Sequence, residues 1–283
     1  MKTKVLLTLF ALTLSSACLA QDDAEVLRPP AVLFTGGIGS ASVLDTYLST
    51  VTYGGVATSL AYEHTQAMGG APDRWIRQLR LGVDFNATDN RHGNNDTYTL
   101  LLHARWSPMC RFRFDALPKL QVMVGPMTQL RGGIHYNEAN SNNIVNAKIH
   151  WSVGAQAMAV LNTRLGRLPV TLRYNAGLPL LGVFFTPEYD ESYYEIYLGN
   201  RKKLVRFGSP ACRFDLDHEI TADLHLGSTI VRVGYRNLIE RSWVSHINTH
   251  VTTHSLVVGI GGEYLAVGRK GLPAKARIVS AQY

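Results

Sequence analysis

The feature that most constrains this chain is an alternation of apolar and polar side chains at every second residue, sustained over runs of ten residues or more. From Trp75 the odd positions read Trp75, Arg77, Leu79, Leu81, Val83 and Phe85, and the even ones Ile76, Gln78, Arg80, Gly82, Asp84 and Asn86. The next run sets Tyr98, Leu100, Leu102, Ala104 and Trp106 against Thr97, Thr99, Leu101, His103 and Arg105. A third sets Ile149, Trp151, Val153, Ala155 and Ala157 against Lys148, His150, Ser152, Gly154 and Gln156. Further runs span 53–64, 119–132, 168–177, 211–226, 228–243 and 253–266. Period two means strands whose faces meet different surroundings.

Length decides the architecture. Strands of soluble sandwiches usually have about five or six residues, whereas a tilted membrane strand needs about nine to eleven. The runs reach the second figure, so the expected fold is an all-β antiparallel transmembrane barrel, with a soluble exported sandwich as the alternative. Aromatic pairs support the barrel: Trp75 and Phe85, Tyr98 and Trp106, and Tyr235 and Trp243 bracket apolar faces. Their eight-to-ten-residue separation covers roughly 20–25 Å along tilted strands, the spacing of two interfacial girdles.

Leu226-Gly227-Ser228-Thr229 reads as a two-residue hairpin in which facing residue numbers add to 455. Asp223 then faces Arg232 and Glu219 faces Arg236, while Leu224 faces Val231, Ala222 faces Val233 and Ile220 faces Tyr235. A one-residue slip would mix the faces, so this register is expected. The four charged residues are predicted as lumen ion pairs that hold the sheet closed, and Asp215 and Asp217 point the same way.

Short connections at 162–167 and 227–228 alternate with longer ones at 88–95, 133–146, 178–210 and 244–252. In bacterial barrels long loops face outward and short turns face the periplasm. The strand at 53 then begins outside and requires an earlier one at 31–41, which makes ten, within a range of eight to twelve. The tail 268–283 is an ambiguous closing strand. On this scheme Cys110 lies near the periplasmic rim and Cys212 near the outer rim, predicting two free thiols.

The first twenty residues read as a signal peptide: Lys2 and Lys4, an apolar core from Val5 to Leu14, and Cys18-Leu19-Ala20 before Gln21. A second reading acylates Cys18, although Ser15 is a poor fit to the position usually held by Leu. Residues 21–283 are then one barrel domain. Without Lys2 and Lys4 the formal charge falls from +7 to +5, as 26 bases against 21 acids. That surplus is spread along the chain, which argues against a nucleic-acid partner. No later run of eighteen apolar residues exists, which excludes a helical membrane protein.

The stretch Thr35-Gly36-Gly37-Ile38-Gly39-Ser40, with Val43 to Ser49 and then Tyr53-Gly54, resembles the opening of an uncharacterised Bacteroidetes-type family of exported proteins, the domain-of-unknown-function family numbered 3316. Asn140-Ser141-Asn142-Asn143 before Ala147-Lys148, and Pro179-Leu180-Leu181-Gly182 before Ser192 to Glu195, are similar to the same family, which usually carries a proline where Ile144 stands here. The resemblance implies location and fold, and no activity.

Candidate chemistry is sparse. His246, His250 and His254 recur every four residues, but on a strand that spacing is about 13 Å, too wide for one metal ion. Gly36, Gly37 and Gly39 lack the ending of a phosphate loop. Tyr189, Asp190, Tyr193, Tyr194 and Glu195, in a long outer loop with Arg201-Lys202-Lys203, could receive a sugar or cationic small molecule, or form a cap held by its own tyrosines and by Pro179 and Pro187. Asp89 and His92, with His250 or Asp190, are the acid-base groups that a surface protease or lipid hydrolase would use, but no nucleophile motif accompanies them. The expectation is therefore a non-enzymatic outer-membrane barrel of a Gram-negative envelope, without cofactor or metal. Its expected partners are outer-membrane lipid and the barrel-assembly machinery, and its lumen conducts poorly or not at all.

Overall fold

The alternating runs become strands whose even and odd residues face opposite sides of one curved sheet. In a computed structural model, residues 26–69, 71–140, 143–199, 203–264 and 277–280 are described. The signal peptide and Cys18 lie outside them, as does most of the tail 268–283. The strands are β1 (Val26–Leu27), β2 (Ala31–Asp45), β3 (Ser49–Ala67), β4 (Trp75–Asp89), β5 (Asp96–Phe114), β6 (Leu117–Asn137) and β7 (Val145–Leu165). They continue with β8 (Leu168–Phe185), β9 (Val205–Gly208), β10 (Arg213–Leu226), β11 (Thr229–Val244), β12 (Ile247–Glu263) and β13 (Arg277–Ile278). One short helix, α1 (Tyr193–Tyr197), lies between β8 and β9. The described residues fall into two units. In the smaller, β1 pairs in parallel with β13; the larger holds everything from β2 to β12.

Ten strands of the larger unit, β2 to β8 and β10 to β12, form a closed antiparallel barrel. Closure occurs between β12 and β2, where Glu263 faces Ala31 and Thr249 faces Asp45, so the tail is not the closing strand. Glycine permits the close approach at this seam: a Cβ on Gly39 would fall 1.8 Å from the carbonyl oxygen of His254, and one on Gly261 2.0 Å from that of Val32.

The row of directly facing residues Leu224, Val231, Ile260, Phe34, Tyr62, Leu81, Ala104, Leu130, Trp151 and Val183 visits each strand once. Leu224 faces Val170 on β8, and the row returns to that strand at Val183, thirteen positions further along. One of the thirteen is a bulge residue beside the register shift at Val153/Gly154. The remaining stagger of twelve over ten strands sets a tilt of about 40°, within the usual range for barrels. Every member of that row is apolar or aromatic and faces outward, and Phe34, Leu130 and Ile260 are more than half exposed.

The hairpin register is the one expected, with Leu226 facing Thr229 and Asp223 facing Arg232. Two elements differ from expectation. Residues 178–185, assigned to a loop, continue β8. The connection expected at 244–252 shrinks to Ser245-His246, whose φ angles of 56° and 60° match a tight type I′ hairpin. At one barrel end the links are 68–74, 115–116, 166–167 and 227–228; at the other they are 46–48, 90–95, 138–144, 186–212 and 245–246. The two ends are called inner and outer below. Cys110 and Cys212 are unbridged and lie toward the inner and outer ends respectively.

Candidate functional site

The inward-facing side chains fill the lumen in three layers. At the inner end Ile76, Met109, Met123, Met158 and Val160 pack into an apolar floor with almost no exposure, joined by a smaller cluster of Ala31, Leu33 and Ile230. These residues occupy the polar phase of their strands, so parity alone marks them as lumenal and their chemistry as a seal.

Above the floor lies a belt of ion pairs. Arg232 donates from Nε to Asp223 at 2.6 Å and from Nη2 at 2.7 Å, a bidentate clasp between two fully buried groups. Arg236 does not pair with Glu219, its facing residue. It reaches diagonally to Asp217 at 2.9 Å and across the lumen to Asp84 at 2.6 Å. Glu219 instead accepts from Arg80 at 2.8 Å. Arg173 grips Glu63 with both terminal guanidinium nitrogens, and Arg105 donates to Asp217 at 2.8 Å. The predicted hairpin residues are thus four members of a network that spans the lumen. Arg80, Asp84, Arg105 and Arg131 stood in the polar phase of their runs, which is the signal that marks them.

The ion-paired lumen groups balance among the described residues. Eight carboxylates, Asp45, Glu63, Asp84, Asp215, Asp217, Glu219, Asp223 and Glu240, meet eight cations, Arg80, Arg105, Arg131, Lys148, Arg173, Arg213, Arg232 and Arg236. β12, β2 and β3 place the small residues Ser255, Gly37, Gly39 and Ser59 on the lumen face.

The outer layer is centred on Asp45, which accepts from Asn146 Nδ2 at 2.9 Å, lies 2.8 Å from Lys148 Nζ and 2.9 Å from His135 Nδ1. Over it sits the loop that carries α1. Tyr193 turns inward from this helix and packs on Tyr47, Leu48 and Ile247. Its hydroxyl accepts from the Ala147 amide at 2.6 Å. The Tyr47 hydroxyl donates to the Glu191 carbonyl at 2.9 Å. Burial, reinforced for Tyr47 by neighbouring Tyr193 and Glu191, pushes both phenols above their ordinary value, so they stay neutral donors. Glu195 closes a capping box with Ser192 at the start of α1, and the backbone and hydroxyl hydrogen bonds from Ser192 lower its pKa.

The five loop residues singled out as a ligand site therefore do different things. Tyr193 plugs the mouth and Glu195 caps a helix, while Tyr189 and Tyr194 are at least half exposed and Asp190 is exposed. None of the five lines the cavity of about 40 Å³ below, which is bounded by Arg131, His135, Lys148, His150, Arg213 and Glu240 among others. His246 occupies the tight turn, while His250 and His254 lie on β12; no metal-holding cluster of His, Cys, Asp or Glu occurs among the described residues. His254 stacks on Tyr235 outside the barrel. The backbone amide of His92 bonds Asn90 within its loop. Gly36, Gly37 and Gly39 lie within β2.

Fold and interior define a closed ten-stranded antiparallel barrel with a side-chain-filled lumen. The chain belongs to the family described as "Protein of unknown function (DUF3316)", whose model matches residues 5–271. Among solved structures it is similar to the transport unit of the autotransporter AIDA-I from Escherichia coli, with 9% identity over 90% of this chain and 97% of that one, at a TM-score of 0.44. It is also similar to the translocator domain of the autotransporter NalP from Neisseria meningitidis, with 9% identity over 93% and 97% of the two chains, at 0.36. No curated protein matches it.

Proposed function

We propose that the chain is a non-enzymatic outer-membrane barrel of a Gram-negative envelope, exported by its first twenty residues, with the inner end toward the periplasm and a lumen that does not conduct. The observation that carries this reading is the balanced network of eight carboxylates and eight cations standing on an apolar floor. An open channel needs a continuous water path, and here each of these sixteen groups is held by an opposite one while methionines close the inner end. The apolar row around the outside supports a lipid setting, because strands with polar interiors and exposed Phe34, Leu81 and Ile260 need hydrocarbon around them. Its role is structural or ligand-binding at the outer end, where the loops are longer.

Membrane fractionation with heat-modifiable gel migration tests the location. Single-channel recording in planar bilayers tests the closed lumen: the expected trace is flat, and stable ion steps from the intact protein would overturn the reading.

A further inference from the structure

The barrel wall is interrupted at one place. On β8, Phe185 to Gly182 pair with β9 and Gly177 to Val170 pair with β10. Between them Leu178 to Leu181 have no ladder partner on that edge among the described residues. The chain opposite uses eight residues, 209–216, to pass these four. Residues 209–212 form a turn, closed by the Arg213 amide on the Ser209 carbonyl at 2.8 Å, and Arg213 to Leu216 bond to β11 alone. Pro179 has no amide proton to offer, and the β7–β8 register slips at the same level. Three irregularities thus coincide at one level of β8.

The interruption joins two environments. A pocket of about 20 Å³ within it is lined outside by Trp151, Leu181 and Val183, and inside by His150, Arg213 and Asp215. His150, Phe184 and Arg213 also line the 40 Å³ outer-mouth cavity, so the two spaces adjoin. The cavity wall carries three inward cations, Arg131, Lys148 and Arg213, paired with Asp84, Asp45 and Asp215 respectively, and one carboxylate, Glu240. Its volume admits about three waters, which is the bulk of a carboxylate or phosphate head.

His150 supplies the missing element. Its Nδ1 lies 3.2 Å from Arg213 Nη2, and a guanidinium can only donate, so Nδ1 accepts and the neutral ring carries its proton on Nε2. That N–H is buried with no hydrogen-bond partner, and the nearest carboxylate oxygen, on Asp215, is 3.7 Å away. A buried donor without an acceptor is destabilising unless a guest provides one.

We infer that the gap between β8 and β10 is a lateral port for a single-chain anionic amphiphile, whose head accepts from His150 Nε2 beside Arg213 and whose chain leaves past Leu181 and Val183 into the surrounding lipid. The site lies beyond the closed-lumen reading and rests on it only for the lipid setting, which fractionation tests separately. An apolar exit alone would admit any acyl chain. The unpartnered His150 donor, set beside the Arg213 guanidinium, selects the anionic head.

The test uses full-length protein in neutral detergent with Trp151 as its sole tryptophan, the other three being replaced by Phe, and 11-bromoundecanoate as quencher. Saturable quenching is expected, with displacement by dodecanoate or dodecyl phosphate, the stronger competitor identifying the head, and none by dodecyl maltoside. His150→Phe should weaken binding at least tenfold. His150→Gln, which keeps an N–H donor, should stay within threefold, and heat-modifiable migration checks that both variants fold. Quenching that rises linearly without saturation, equal binding by His150→Phe, displacement by neither anionic amphiphile, or displacement by acetate as effective as by dodecanoate would each overturn the port.

Discussion

The floor and the belt of the lumen exclude water by opposite chemistry. The floor does it with Met109, Met123, Met158 and Ile76, whose stability comes from buried apolar area and depends on volume. The belt does it with Asp223, Arg232, Glu63 and Arg173, where each group is tolerated only because another neutralises it. A packed apolar layer degrades gradually when a side chain shrinks. A charge network fails abruptly when one member leaves, because the partner stays buried and uncompensated. Ordering the layers in this way puts the sharper sensitivity in mid-lumen.

The largest effect should follow from Arg232→Met, which strips Asp223 of its clasp and removes a neighbour of Glu63. Urea unfolding in detergent should show a loss of about 4 kcal/mol. The double variant D223L/R232M should recover at least half of that, because no lone charge remains; failure to recover would mean that the pair itself stabilises the barrel. In planar bilayers Arg232→Met should still conduct nothing, since the floor is intact, and ion steps from it would show that the belt alone seals the lumen. Next comes Met123→Ala in the floor, expected to cost about 3 kcal/mol by cavity formation. Its partial rescue by Met123→Leu would distinguish volume from sulfur chemistry.

Smaller effects belong to the outer end. Tyr193→Phe removes the acceptor of the Ala147 amide and should cost about 1 kcal/mol, seen as faster hydrogen exchange at Ala147 with no change in the belt. Replacing Ser245-His246 by Asn-Gly suits the positive φ angles there and should stabilise by about 0.5–1 kcal/mol in the same unfolding assay. A shift in the opposite sense would mean that the two side chains hold the turn by contacts of their own.

Most of the barrel was legible because period two survives wherever a strand divides two unlike surroundings. Where the period breaks, the strand limits are no longer encoded locally. In β8 the inward residues are Arg173, Asn175 and Gly177 before the irregularity and Gly182 and Phe184 after it, so the phase changes from odd to even and the period-two run ends at 177. Loop length misled in another way at Ser245-His246, because two non-glycine residues hold a conformation that sequence normally assigns to Asn or Gly. The belt residues were visible one strand at a time, but their partners were not. Arg80 meets Glu219, 139 positions away, and nothing local encodes which strands face each other across a lumen. Nothing in the loop sequence separates Tyr193 from its exposed neighbours, because its partial burial follows from the shape of the mouth formed by Tyr47 and Ile247.

The seam between β2 and β12 carries a consequence for how the molecule comes into being. The earliest barrel strand is hydrogen-bonded to the latest, with Ala31 opposite Glu263, so the cylinder cannot lock until nearly all of its wall has been synthesised. Until then Phe34 and Ile38 sit on a strand with a bare edge, the condition under which polypeptides stick to strangers. The order of strands therefore leaves that edge open until the last strand arrives, whatever task the finished barrel performs.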